Sequence, residues 1–202
     1  MGELSTEEWK QHKKIQRRVL KYPGSKWNIA SRLVELIPEH RSYVEPFFGS
    51  GAVLFNKPVS DIETINDLDH DVVNLFRCIQ EDAERLRMVQ IENRPALEVI
   101  ERFNYSNVFM YIDPPYVLGT RAQKQYRHEM LDQDHEELLK VLLKSRAKIM
   151  ISGYESEMYN DYLVGWEKKH FSSCAETGKP RTETVWMNYK ADPQMSLEDF
   201  LK

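Results

Sequence analysis

The stretch Val108-Phe109-Met110-Tyr111-Ile112-Asp113-Pro114-Pro115-Tyr116 decides the fold. Five apolar residues in a row read as a buried strand, and Asp-Pro-Pro-Tyr follows with no spacer. Two consecutive prolines fix an extended turn and withdraw two N–H donors. A carboxylate, free carbonyls and an aromatic ring are thereby gathered at the carboxyl edge of a sheet. On uniform composition the tetrapeptide turns up in a chain of this length about once in a thousand. A rigid loop with an exposed tyrosine would not explain why these groups coincide.

Outward from that strand, elements alternate. Upstream, residues 42–47 read as a short apolar strand that runs into Phe48-Gly49-Ser50-Gly51, and Ala52-Val53-Leu54-Phe55 would begin a helix. Residues 63–66 read as a second strand ending at Asp67. Residues 71–88 read as a helix with Val72, Leu75, Phe76 and Ile79 on one face. A third strand (89–92) and a crossover helix (96–103) lead to 108–112. Before all these lie a charged helix (7–20), a Pro-Gly turn (21–26) and an amphipathic helix (27–37) stopped by Pro38. After them come a helix (132–145), a strand (148–152) and a closing strand (182–189). The alternation predicts a single α/β domain with helices on both faces of a mostly parallel sheet.

Composition narrows the class. The 202 residues suffice for one sizeable core, and 41% hydrophobic with 30% charged residues suits a globular chain. No apolar run reaches the roughly 18 residues of a membrane span, and no secretory leader is evident, so a cytoplasmic setting is expected. Cys78 and Cys174 lack metal-type spacing and the histidines are scattered, so no metal site is expected. The net charge of −4 conceals an asymmetry. Residues 9–26 carry seven Lys/Arg and no acid, whereas 61–102 carry eleven acids against five arginines. Local basic patches can meet phosphates even on an acidic chain.

The turn Glu45-Pro46-Phe47-Phe48-Gly49-Ser50-Gly51 lies between a strand and a helical segment, where glycines admit a ligand close to the backbone. Asp67, eighteen residues after Gly49, closes the next strand, where an acid in nucleotide-binding folds accepts ribose hydroxyls. Asp69 and Asp71 compete for that role, but Asp69 can equally cap the following helix and Asp71 complement its dipole.

In this order, KYPGSK, EPFFGSGAVLFN, NDLD and YIDPPY resemble the DNA adenine methylase (Dam-like) family of N6-adenine methyltransferases, over roughly residues 21–189. The resemblance implies a Rossmann-like fold with an antiparallel C-terminal strand, S-adenosylmethionine (SAM) as methyl donor and DNA as partner, in a bacterial or phage setting. It implies SAM contacts from Tyr22, Lys26, Glu45, Phe47, Gly49, Gly51, Asp67 and Asp113. The catalytic loop would be Asp113, Pro114, Pro115 and Tyr116, and Ser152 and Tyr154 would line the base pocket. The SAM-binding half would span about 21–80 and the catalytic half about 89–190. Arg121, Lys124, Arg127, Lys179 and Arg181 are candidates for phosphate contacts.

The chemistry suits the loop. Adenine N6 is a poor nucleophile because its lone pair is delocalised into the ring. A carboxylate (Asp113) and a carbonyl (Pro114) that each take one N–H favour a pyramidal nitrogen. Tyr116 would stack on the extruded base.

The sequence departs from the family pattern in one interval. A recognition region usually separates the two halves, yet only 46 positions separate Asp67 from Asp113. That interval is already filled by a helix, a strand and another helix, so the region is expected to be absent near residues 80–83. Target reading would then call for a partner or for the missing segment. The alternatives to a DNA enzyme are a SAM-binding DNA-associated module that needs such a partner, or an amino-methyltransferase acting on RNA or another amine or amide. Either Glu92 or Asn93 would contact the SAM adenine.

Overall fold

The structure, a computed structural model, describes residues 19–80, 83–120, 126–174 and 180–191. Val108–Ile112 forms strand β4, buried at every position, in the middle of a seven-stranded sheet. The other strands are β1 (Ser42–Glu45), β2 (Ile62–Asn66), β3 (Val89–Glu92), β5 (Lys148–Gly153), β6 (Glu167–Cys174) and β7 (Pro180–Met187). Their spatial order is β3-β2-β1-β4-β5-β7-β6. The first five run parallel, and β7 lies antiparallel to both β5 and β6. The fold is the α/β sheet that the alternation predicts, in the Rossmann-like form with an antiparallel C-terminal strand that the resemblance implies.

Strand pleating sorts the core into two layers. Phe109 and Tyr111 of β4 join Tyr43, Ile65 and Met150 on one face, where helices α1 (Ala30–Val34) and α2 (His70–Gln80) supply Leu33, Val72 and Phe76. Val108, Met110 and Ile112 point the other way. There they meet Val99 and Ile100 of α3 (Ala96–Arg102), Leu138, Leu139 and Leu142 of α4 (Asp132–Leu143), and Tyr159 of α5 (Glu157–Tyr162). The chain leaves β1 toward β2 and β3 on one side, while β4 and β5 lie on the other. A crevice is therefore left at the carboxyl ends of β1 and β4, where open α/β sheets bind ligands.

Several boundaries differ from the sequence expectation. Residues 52–57 make one helical turn, with Phe55 N–H donating to Gly51 and Lys57 N–H to Val53. Pro58 then ends it by denying the helix a donor and restricting the residue before it. α2, described as far as Gln80, does not run on to residue 88, because buried Leu86 and Val89 bring the chain back to the sheet. The Gln80 amide fastens that return by donating to the Leu86 and Val89 carbonyls. α1 covers only part of 27–37. Strand β6 and helix α5 had no counterpart in the sequence reading. The charged helix expected at 7–20 lies almost wholly outside the described residues.

Candidate active site

Asp113 leaves β4 at the crevice, and both of its carboxylate oxygens are already engaged. Ser152 Oγ, one strand away on β5, donates to Oδ1 at 2.7 Å, and the Tyr111 hydroxyl lies 3.0 Å from the same Oγ. Lys26 Nζ donates to Oδ2 at 2.9 Å and to the Gly24 carbonyl at 2.6 Å. The ammonium also lies 4.7 Å from the centre of the Tyr116 ring. Burial opposes the charge on Lys26, but Asp113 and Glu183 more than compensate and raise its pKa above the ordinary lysine value. The carboxylate is thus aimed by two groups, Ser152 and Lys26, with Tyr111 bonded to Ser152 behind it.

A cavity of about 310 Å³ opens beside it, within the range of small-molecule sites. Tyr22, Lys26, Glu45, Phe47, Gly49, Asp67, Asp113 and Pro115 of the predicted set line it. Gly49 has φ +51°, and a Cβ there would sit 2.9 Å from the Tyr22 ring, so the close approach of the two loops requires glycine. Gly51 is absent from the lining. Its φ of +68° and the Phe48 and Phe55 rings around it make it a turn and packing glycine. Burial, with Asp67 nearby, raises the Tyr22 phenol pKa.

Asp67 joins the two loops at the cavity floor. Its Oδ2 accepts the Gly49 N–H at 2.8 Å, and its Oδ1 accepts that of Asp69 at 2.9 Å. Asp69 caps α2 by accepting the Asp71 N–H at 3.0 Å. Glu45 is 2% exposed and accepts the Tyr43 hydroxyl at 2.7 Å. Burial pushes its carboxyl up to about 8, so it is protonated at neutral pH.

The remaining candidates divide. Pro114 is buried. Tyr116 is also buried, with its hydroxyl on Glu183 and its ring edge-on to Tyr154 at 4.5 Å. Arg127 is held by Asp69 (2.9 Å) and Asp71 (2.7 Å), while Arg181 donates to the Tyr154 hydroxyl at 2.6 Å. Arg121, Lys124 and Lys179 lie outside the described residues. Neither Glu92 nor Asn93 lines the cavity. Glu92 pairs with Arg94 and Arg102, and the Asn93 amide donates to the Asp67 carbonyl. Pro95, Ala96 and Leu97 form the cavity wall there instead.

Comparison with known proteins bears on the family and the fold. A family model described as D12 class N6 adenine-specific DNA methyltransferase matches residues 22–90 and 83–175. The chain belongs to this family. The DNA adenine methylase of Vibrio cholerae is 29% identical over 108 residues, which is 48% of this chain and 38% of that protein. The DNA N-6-adenine-methyltransferase of Escherichia phage P1 is 29% identical over 72 residues, 36% of this chain and 9% of that protein. The chain therefore spans less than two-fifths of the length of either relative. Among solved structures, a SAM-dependent methyltransferase from Agrobacterium tumefaciens superposes with a TM-score of 0.51 at 14% identity. That match covers 80% of this chain and 59% of the other. The protein SMU.472, solved with SAH, gives 0.59 at 13% identity, over 84% and 54% respectively. At such identities these likenesses concern the fold.

Two groups that reach the crevice are missing from the site set drawn from the sequence. Glu183 belonged to a strand noted only for its β-branched and aromatic residues, and Tyr111 read as core. The signal for Glu183 was a lone acid inside Thr-Glu-Thr-Val-Trp, an otherwise strand-forming run.

Proposed function

We propose that this D12-family chain is an adenine-N6 DNA methyltransferase that uses SAM as methyl donor. The observation that carries the reading is the Asp113 carboxylate, aimed by Ser152 and Lys26 onto the wall of a cavity that the Gly49 loop also lines. The cavity fits the donor in size and lining: Gly49 lets the Tyr22 loop come close beside it, and Tyr22, Lys26, Glu45, Phe47, Gly49 and Asp67 would hold the molecule. When bound, SAM supplies an electrophilic methyl group.

The chain's own work is positioning and electrostatics. Asp113 accepts one N–H of the adenine amine, which increases lone-pair density on N6 and stabilises the positive charge that develops there. Ser152 and Tyr111 keep that carboxylate from rotating away. The Pro114 carbonyl is the second acceptor that the loop chemistry calls for. A stacked base cannot reach the crevice, so the adenine would be taken out of the duplex. Tyr116, buried off the cavity lining with Lys26 over its ring, is the ring that the resemblance assigns to it.

Incubating the protein with labelled SAM and adenine-unmethylated plasmid DNA, followed by nucleoside analysis, tests the reading. N6-methyladenine is the expected product, and SAM binding with no labelled base would overturn it. One further observation favours a chain that needs help with target choice. The family match breaks into two segments that overlap at 83–90, close to the point where the recognition region is expected to be absent. α2, β3 and α3 occupy the interval between Asp67 and Asp113. We read residues 1–202 as a single catalytic domain whose sequence selectivity comes from a partner. Addition of a sequence-specific DNA-binding protein from the same source should then focus methylation that is otherwise dispersed. Among the described residues, no helix is long and apolar enough to cross a membrane.

A further inference from the structure

β7 carries Arg181 and Glu183 two residues apart, so both side chains leave the same face of the strand. Each ends on a tyrosine hydroxyl of the catalytic crevice. Glu183 accepts from Tyr116, and Arg181 Nη1 donates to Tyr154 at 2.6 Å. The two rings meet edge to face at 4.5 Å. Glu183 is only 8% exposed and Tyr116 only 5%. A buried carboxylate costs more than a neutral acceptor would, and burial raises its pKa against the pull of Lys26. Core packing alone would not call for it. A phenol has one hydrogen to give, so the bond to Glu183 fixes where the hydroxyl end of the ring points. Tyr154 packs against the ring in a T-shaped pair, and the Lys26 ammonium lies over the ring itself.

We infer that Glu183 is a positioning residue for the target base. It sets the plane of the Tyr116 ring, on which the adenine stacks beside Asp113, and Arg181 steadies the backing ring, Tyr154. The inference rests on the methyltransferase reading above and adds to it a strand that the family motifs do not mark. It acts through Tyr116 and touches no reacting atom. Its signature is therefore a loss of base placement while SAM binding is intact.

The test compares wild type with Glu183→Leu, Glu183→Gln, Tyr116→Phe and the pairwise combinations. Plasmid DNA serves as substrate, and SAM affinity is measured separately by calorimetry. Because small misplacements of a reacting group cost rate steeply, Glu183→Leu should lower kcat/KM for DNA by about tenfold or more with SAM affinity within about twofold. Glu183→Gln retains an acceptor oxygen and should recover most of that loss. Tyr116→Phe combined with Glu183→Leu should be no worse than the poorer single variant, because both break one bond. Wild-type kcat/KM in Glu183→Leu, or losses that multiply in the double variant, would overturn the inference. Should Glu183→Leu fail to fold, Glu183→Gln and Tyr116→Phe, singly and together, decide it by the same rule. An inactive wild-type chain would instead overturn the methyltransferase reading itself, so the two failures are told apart before any variant is made.

Discussion

Two buried lysines, each lying over a tyrosine ring, have opposite fates. Lys26 is 4% exposed, 4.7 Å from the Tyr116 ring and paired with Asp113. Lys57 is 7% exposed, 4.4 Å from the Tyr43 ring and paired with Glu63. Burial lowers the Lys57 pKa to about 8 in spite of Glu63, whereas that of Lys26 is raised. The difference is local charge balance. Glu63 is shared between Lys57 and Arg85, so two cations divide one anion, while Lys26 stands between Asp113 and Glu183. Burial opposes ionisation of Glu63, yet the Arg85 hydrogen bond and the Lys57 charge outweigh it and hold the carboxyl below its ordinary value. A buried ion pair over a ring is thus no mark of a catalytic centre. What distinguishes Lys26 is its place at the crevice, opposite a carboxylate that still faces a cavity.

The comparison breaks at its catalytic end first. Asp113→Ala should reduce methyl transfer by about 10³-fold or more, the scale of losing a preorganised electrostatic group, while calorimetry still detects SAM binding. Near-normal turnover would remove Asp113 from the mechanism. At the structural end, Glu63→Leu leaves Lys57 and Arg85 buried together without their anion. It should cost about 3–5 kcal/mol in urea denaturation. A loss under about 1 kcal/mol would mean that the network is dispensable. Lys26→Met sharpens the contrast, with turnover down by about 10–10²-fold and a smaller denaturation shift than Glu63→Leu. The reverse pattern would make Lys26 a second Lys57.

The smallest effect concerns pH. The Glu45 carboxyl is raised from 4.5 to about 8, so the folded state favours its protonated form. That contribution is whole below about 4.5 and fades as the pH rises through about 8. Relaxation at the cavity wall absorbs part of the shift, so the change should be on the order of 1 kcal/mol. Melting curves of wild type should fall across this window, and those of Glu45→Gln, which keeps an acceptor for Tyr43, should stay level.

Much of this was legible in the sequence because the central strands are nearly all apolar. Val108–Ile112 could hardly be anything but buried, and the prolines after it marked the sheet edge. β6 was not legible, because an edge strand needs only one buried side. In Glu-Lys-Lys-His-Phe-Ser-Ser-Cys the described side chains bury only Phe171. Helix ends failed where tertiary packing overrode periodicity, as at Gln80. Around the cavity the fold brings together many of the motif residues but leaves Gly51, Pro114 and Tyr116 off its lining, and Asp69 caps its helix as one of its two readings allowed. Arg127 shows the limit of reading charge alone: spacing cannot reveal that Asp69 and Asp71 will take it. Glu183 lies 67 positions from its partner, Tyr116, and only the fold brings the two together.

The division of the crevice between distant parts of the chain has a practical consequence. Tyr22, Lys26, Glu45, Gly49 and Asp67 all precede residue 80, while Asp113, Tyr116, Ser152 and Glu183 all follow residue 83. A polypeptide severed between those points would yield two fragments, neither of which owns a whole reaction centre. Given the proposed activity, such fragments fused to proteins that associate on command would make methylation a record of when and where the two halves met.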